Sequence, residues 1–355
     1  IAGYPWFLDW GRDTLIALRG IIAAGMQSEA NDILLQFAKF EENGTLPNMI
    51  RGNDVSNRDT SDAPLWFFVA AGDYMAQNGN DILQSDCGSG RTLLAVLNSI
   101  FENYVKGTPN GIRMDEASKL IYSPAHFTWM DTNYPAASPR AGYPVEIQAL
   151  WYNAVRVLKD YNSHAAQILP EIRHSIIQYF YHPESSSFSD CLLANEFIPA
   201  ADALPDDAVR PNQLFLLTLG VLEEKLHCGA ILQSATDLIV PGAIRSLADR
   251  RLTIPLPVNW NGQLLNDPYH PYRGVYAGAE DTSRKVAYHN GTCWVWPFPS
   301  YCEALYIMGG ESARDLALSI LLSAKYYLES GAVGQLPEVA DGDYPHKGGG
   351  CLAQA

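Results

Sequence analysis

Apolar side chains recur at the three-and-four spacing of an amphipathic helix in ten segments of the chain. These are about 13–26, 28–42, 60–78, 86–105, 144–160, 164–181, 211–225, 229–239, 298–309 and 311–329. Several carry helix-start signals: Ser28 as an N-cap with Asn31 and Asp32 behind it, Pro144 and Pro211 at opening positions, and Glu311 and Ser312 after a glycine pair. Strand-like runs at 112–114, 120–122 and 252–254 are short and fall inside connections. The pattern predicts a mainly helical protein.

The connections alternate. Short ones follow 26, 78, 160, 225 and 309; long ones occupy 43–59, 106–143, 182–210, 240–297 and 330–350. Antiparallel helix pairs with tight turns on one side and elaborate loops on the other predict an all-α (alpha/alpha)6 toroid, its loops gathered at one rim. Counting the segment before residue 13 there are six such loops, and 351–355 reads as the opening of a sixth inner helix that is cut off. Residues 1–355 are therefore expected to be one catalytic domain, truncated at its C-terminal end and, with no initiator Met, a fragment of a longer chain. Long irregular loops in such a frame are where binding and chemistry concentrate.

Composition narrows the function. Apolar residues make up 47% and charged residues 18%, which suits a packed core. Acidic residues outnumber basic ones, 39 to 24, and a net charge of −15 repels phosphate polyanions, so nucleic acid is not expected as a partner. Six cysteines without CxxC spacing fit neither a disulfide scaffold nor a zinc ribbon and predict a cytoplasmic protein. No apolar run is long enough to span a bilayer, and no membrane partner is expected. The eight histidines show no HExxH, and no glycine-rich phosphate loop is present, so neither a metal nor another cofactor is expected.

The loops instead collect aromatic rings, carboxylates and amides, as recognition of a neutral polyhydroxylated ligand requires. They include Trp6, Asp9, Trp10, Arg12 and Asp13 in the first, Trp129 and Asp131 in the third with Glu146 on the following helix, Tyr288, His289 and Trp294 in the fifth, and Glu338, Asp341, Asp343 and His346 in the sixth. Glycoside hydrolysis needs two carboxyl groups across the scissile bond. Asp131 in FTWMDTN and one of Glu338, Asp341 and Asp343 in GQLPEVADGDYPH are the candidates, and spacing alone does not choose among the last three.

Six runs carry a resemblance. GYPWFLDWGRDTLIALRG at 3–20, NRDTSDAPLWF at 57–67, TWMDTNYPAASPRAGYPVEIQALWYNA at 128–154, RPNQLF at 210–215, YHNGTCWVWP at 288–297 and ADGDYPHKGGGCLAQA at 340–355 occur in this order. Together they resemble the C-terminal amylo-alpha-1,6-glucosidase domain of glycogen debranching enzymes, in its bacterial and archaeal form. The resemblance implies the α toroid and release of glucose from α-1,6 branch stubs of glycogen or a branched α-glucan oligosaccharide, with inversion. It implies Asp131 as general acid and Glu338 as general base. It places Trp6, Asp9, Trp10, Arg12, Asp13, Trp129, Glu146, His289 and Trp294 around the sugar. Pro337 and Val339, flanking Glu338, depart from the family's usual residues. A toroidal glucosidase of glucoamylase or trehalase type, or a glycan-binding module without catalysis, are the other readings. The presence of both Asp131 and Glu338 counts against the last.

Overall fold

The computed structural model describes residues 9–88, 90–329 and 332–351. The chain divides into two compact units, one comprising 1–129, 141–176 and 194–203, the other 130–140, 177–193 and 204–355.

In the first unit, α1 (Gly11–Ala23) packs on α2 (Gln27–Lys39) and on α3 (Ala63–Asn78), and α5 (Val145–Leu158) packs on α3 and on α4 (Leu93–Lys106). Leu15, Leu18 and Ile22 form the buried stripe of α1, one turn apart, whereas α3 is buried on all sides from Ala63 to Ala71. Fully burying each such Leu or Ile contributes about 1.5–3 kcal/mol. Two side chains of α5 tie the preceding loop down. Gln148 exchanges hydrogen bonds with both backbone groups of Ile121 (2.7 and 2.9 Å), and Trp151, stacked on Phe101, donates its indole N–H to Lys119 O at 3.0 Å. The next helix, α6 (Ser163–Phe180), buries Ala165, Ile168, Ile172, Ile176 and Phe180 at helical spacing.

In the second unit, α10 (Phe298–Gly309) packs on α7 (Phe215–Thr218), α8 (Lys225–Ala235) and α11 (Glu311–Leu322); α9 (Lys285–Ala287) and α12 (Lys325–Leu328) are single turns. Beside them lies an antiparallel sheet of five short strands in the order Ile239–Val240, Ala243–Arg245, Cys293–Trp294, Val339–Ala340 and Gly348–Gly349. Val240, Ala243, Cys293, Val295, Tyr327 and Ala340 form its core, with Leu336 packed against them.

The helical segments and the alternation of connections recur in the structure, with corrections. The all-α expectation gives way to a mainly helical fold with strands in its connections. These strands are mostly two residues long, too short for an alternating apolar pattern to register, and they form because buried loop backbone needs partners. The runs near 112–114 and 120–122 do pair, Arg113 opposite Tyr122; the run at 252–254 forms no strand. The segment 211–225 is a 3₁₀ turn, Pro211–Leu214, followed by α7, and it stops at Gly220, whose φ of +68° a continuing helix does not allow. Helix α4 starts at Leu93 rather than 86, with Thr92 Oγ1 accepting from Ala95 N at 3.2 Å, and α2 is capped at Met26, not Ser28. The segment 311–329 breaks between α11 and α12, where Ser323 Oγ donates to Ile320 O and accepts from Gly242 N. Among the described residues no helix is long and apolar enough to cross a membrane.

Candidate active site

Glu338 immediately precedes the strand Val339–Ala340, whose neighbours are Cys293–Trp294 on one side and Gly348–Gly349 on the other. That register brings the chain past Gly350 back to the carboxylate. Glu338 N donates to Cys351 O at 2.8 Å, and Cys351 N donates to Glu338 Oε2 at 2.9 Å. Gly350 makes the return possible. It sits at φ +64°, and a Cβ there would collide with Glu338 Oε2. The Tyr288 hydroxyl donates to the other oxygen, Oε1. Burial, then the charge of Glu338 and this bond, with Tyr276 and Asp131 adding to them, raise the Tyr288 phenol well above its usual range, so it stays a neutral donor. Tyr276 packs 5.5 Å from it and is raised too, by burial first and then by Glu338.

Asp131, half-buried, is held through its neighbours. Met130 O accepts from Ser138 Oγ at 3.1 Å, while Arg210 Nη1 and Asn212 Nδ2 lie 3.7 and 3.6 Å from Met130 Sδ. Thr132 Oγ1 meets His289 Nδ1 at 2.6 Å. His289 is fully buried and stacks on Trp294, with centroids 5.0 Å apart at 13°, and Trp294 donates its indole N–H to Tyr288 O at 2.9 Å. The residue after Asp131 and the residue after Tyr288 are thus bonded to each other. One cluster thereby fixes both carboxylate-bearing segments, and the charge of Asp131 contributes to the field at Tyr288.

The other acids of the sixth loop have different roles. Asp341 Oδ1 accepts from Tyr276 N at 2.7 Å, and Asp343 Oδ1 accepts from Tyr272 OH at 2.8 Å. Between them, Gly342 packs so closely on Gly291 O that a Cβ would overlap it, and His346 Nδ1 lies 3.0 Å from Asp341 O. The DGDYPH run therefore docks the 272–276 segment, and with it Tyr276, beside Tyr288. Among the described residues no group of His, Cys, Asp or Glu is arranged to hold a metal.

The remaining site candidates lie in the first unit. Asp9 and Trp10 pair with Ile50 and Met49 as a short antiparallel ladder, and Gly11 N donates to Asn48 O at 2.9 Å. Arg12 is buried, its Nε donating to Asp62 Oδ2 at 2.6 Å and its Nη2 to Thr128 O at 3.0 Å. Removing one partner from a buried pair of this kind costs about 3–5 kcal/mol, so Arg12 holds the loop whatever else it does. Asp13 and Glu146 stand in the first turns of α1 and α5, Glu146 buried, and Trp129 is buried as well. Asn48 Oδ1, also buried, makes no hydrogen bond among the described residues. Trp6 lies outside the described residues.

Nothing in the order of residues marks the roles of Tyr276, Gly350 and the Cys351 amide, and Tyr288 stands out there only as one loop aromatic among many. The signal available was adjacency: Tyr288 precedes His289, and the GGG run follows Glu338 by a strand and a turn.

A family model described as amylo-alpha-1,6-glucosidase matches residues 1–355. The glycogen debranching enzyme of Saccharomyces cerevisiae (strain ATCC 204508 / S288c) is 23% identical over 401 residues, covering 86% of this chain and 25% of that protein. The chain thus spans about a quarter of the length of this curated relative. Among solved structures, a rhamnosidase from Klebsiella oxytoca with rhamnose bound aligns at a TM-score of 0.56 and 12% identity, covering 98% of this chain and 55% of that one. At that identity the likeness is one of fold.

Proposed function

The chain belongs to the amylo-alpha-1,6-glucosidase family, and from that premise we propose that it is a glycoside hydrolase releasing glucose from α-1,6 branch stubs of glycogen or a branched α-glucan, with inversion. Asp131 protonates the leaving oxygen. Glu338 takes a proton from the water that attacks the anomeric carbon from the opposite face. The observation that carries this reading is the cluster in which Glu338 accepts from Tyr288 and Cys351, while Thr132, next to Asp131, bonds His289, next to Tyr288. A base must be oriented before reaction, and two donors on separate oxygens fix that orientation.

His289 and Trp294 support this cluster from behind. Asp9, Trp10, Arg12, Asp13, Trp129, Glu146 and Trp6 are proposed, from the resemblance, to bind the sugar. The helical pairs are read as belonging to the expected (alpha/alpha)6 ring, a reading the rhamnosidase likeness supports. Six free thiols suit a reducing cytoplasm.

The test is glucose release by the full-length protein from a phosphorylase limit dextrin, set against linear malto-oligosaccharides and trehalose, with Asp131→Asn as the blank. Preferential release from the limit dextrin, appearing first as β-glucose by NMR, is expected. Preference for maltose-type or trehalose bonds would move the assignment to another toroidal glucosidase, and no release from any of them would favour a glycan-binding module.

A further inference from the structure

We infer that Tyr288 is the positioning residue of the general base: its hydroxyl, with the Cys351 amide, turns the Glu338 carboxylate to the orientation from which it takes a proton from water. The inference rests on the reading of Glu338 as that base. Each carboxylate oxygen offers two acceptor sites. Tyr288 OH occupies one on Oε1 and Cys351 N–H, at 2.9 Å, one on Oε2, so each oxygen keeps a site for water and neither can rotate without losing a charge-assisted bond.

The donor is as fixed as the acceptor. The Tyr288 ring meets Trp294 edge-on at 4.8 Å, His289 at 4.7 Å and Tyr276 at 5.5 Å, and its carbonyl accepts from Thr292 Oγ1 at 2.6 Å and Trp294 Nε1 at 2.9 Å. Burial and the facing carboxylates keep its proton on through the working pH range. Glu338, Asp131 and Tyr276 are the titratable groups that act on it. Tyr288 needs no contact with the reacting atoms; it acts through Glu338.

The deciding experiment reads Glu338 directly. Glutamate labelled with carbon-13 at the carboxyl carbon is introduced into the full-length protein, and the Glu338 signal is identified by its loss in Glu338→Gln. In Tyr288→Phe, which removes one oxygen and keeps the ring, the Glu338 carboxyl signal should move from its wild-type position at fixed pH, and kcat should fall about tenfold with KM little changed. Replacing Tyr288 by 3-fluorotyrosine, a stronger donor of nearly the same shape, should move the signal in the opposite direction, and it serves if the Phe variant does not fold. The inference is overturned if the Glu338 signal is the same in all three proteins, or if KM rises while kcat stays at its wild-type value. A shifted signal in a protein that releases glucose from no α-glucan would uphold the contact and remove instead the reading of Glu338 as a base.

Discussion

Gly350→Ala should disable the proposed base while leaving every carboxylate in the chain intact. Two costs follow from the geometry. The backbone at φ +64° is left-handed, which costs an alanine about 1–2 kcal/mol relative to glycine. The new Cβ would also overlap Glu338 Oε2, so the carboxylate must move away from the Cys351 amide that donates to it at 2.9 Å. A hydrogen bond to a charged group contributes about 1.5–3 kcal/mol, but Glu338 is only partly buried and water replaces part of it, so the stability loss should total about 2–3 kcal/mol. Activity should suffer more. A displacement of about 1 Å in a reacting group costs on the order of a hundredfold in rate, and kcat on limit dextrin should fall by 10- to 100-fold. The control is one residue away: a Cβ at Gly349 meets Tyr276 Cδ1 at 3.4 Å, an ordinary contact, and Gly349→Ala should keep wild-type kcat. Thermal unfolding and initial rates on both variants provide the comparison. Wild-type kcat in Gly350→Ala, or equal losses in the two variants, would refute the idea that this turn sets the position of Glu338.

The two carboxylates should separate by leaving group: Asp131→Ala should lose about 10²–10⁴-fold on the branch stub but far less on α-glucosyl fluoride, whereas Glu338→Ala should slow both. Azide added to Glu338→Ala should yield β-glucosyl azide, identified by NMR; an α product or a glycosyl group trapped on Glu338 would mean retention. Asp9→Ala should lower kcat/KM about 5- to 150-fold, because its strand pairing is by backbone and the substitution removes only the proposed sugar contact; unchanged kinetics would make that loop structural. Asp206 is pushed up to about 7 by burial and then by the charge of Asp190. Its folded value lies above its unfolded one, so its contribution to stability is full below about pH 4 and is lost as pH rises toward 7. Asp206→Asn should flatten the chemical-denaturation profile across that window by up to a few kcal/mol, and an unchanged profile would contradict the assignment.

Much of the helical frame was legible because buried faces repeat every three or four residues over several turns; α10 at 298–309 has the bounds its pattern predicts. The sheet that carries Glu338 was not legible. Its strands are two or three residues each, and the central ones pair across separations such as Ile244 to Trp294 and Cys293 to Ala340, so their partners are set by the fold and leave no local period. Glycines fared similarly: GGG at 348–350 fits no phosphate loop, and its use, letting the chain close on Glu338, depends on a carboxylate twelve residues away.

For the chemistry, the sequence by itself determined the residue types, the two carboxylate-bearing loops and the family, since long ordered motifs such as TWMDTN and ADGDYPH are chemical identities that need no coordinates to be read. Spacing alone did not choose among Glu338, Asp341 and Asp343; the choice of Glu338 came from the resemblance. Tertiary structure separated their surroundings by hydrogen-bond partners: Asp341 accepts from a backbone amide, Asp343 from Tyr272, and Glu338 from Tyr288 within the field of Asp131. A carboxylate's role depends on what faces it across space, and that distance is fixed by packing and strand register between segments that one-dimensional order cannot bring together.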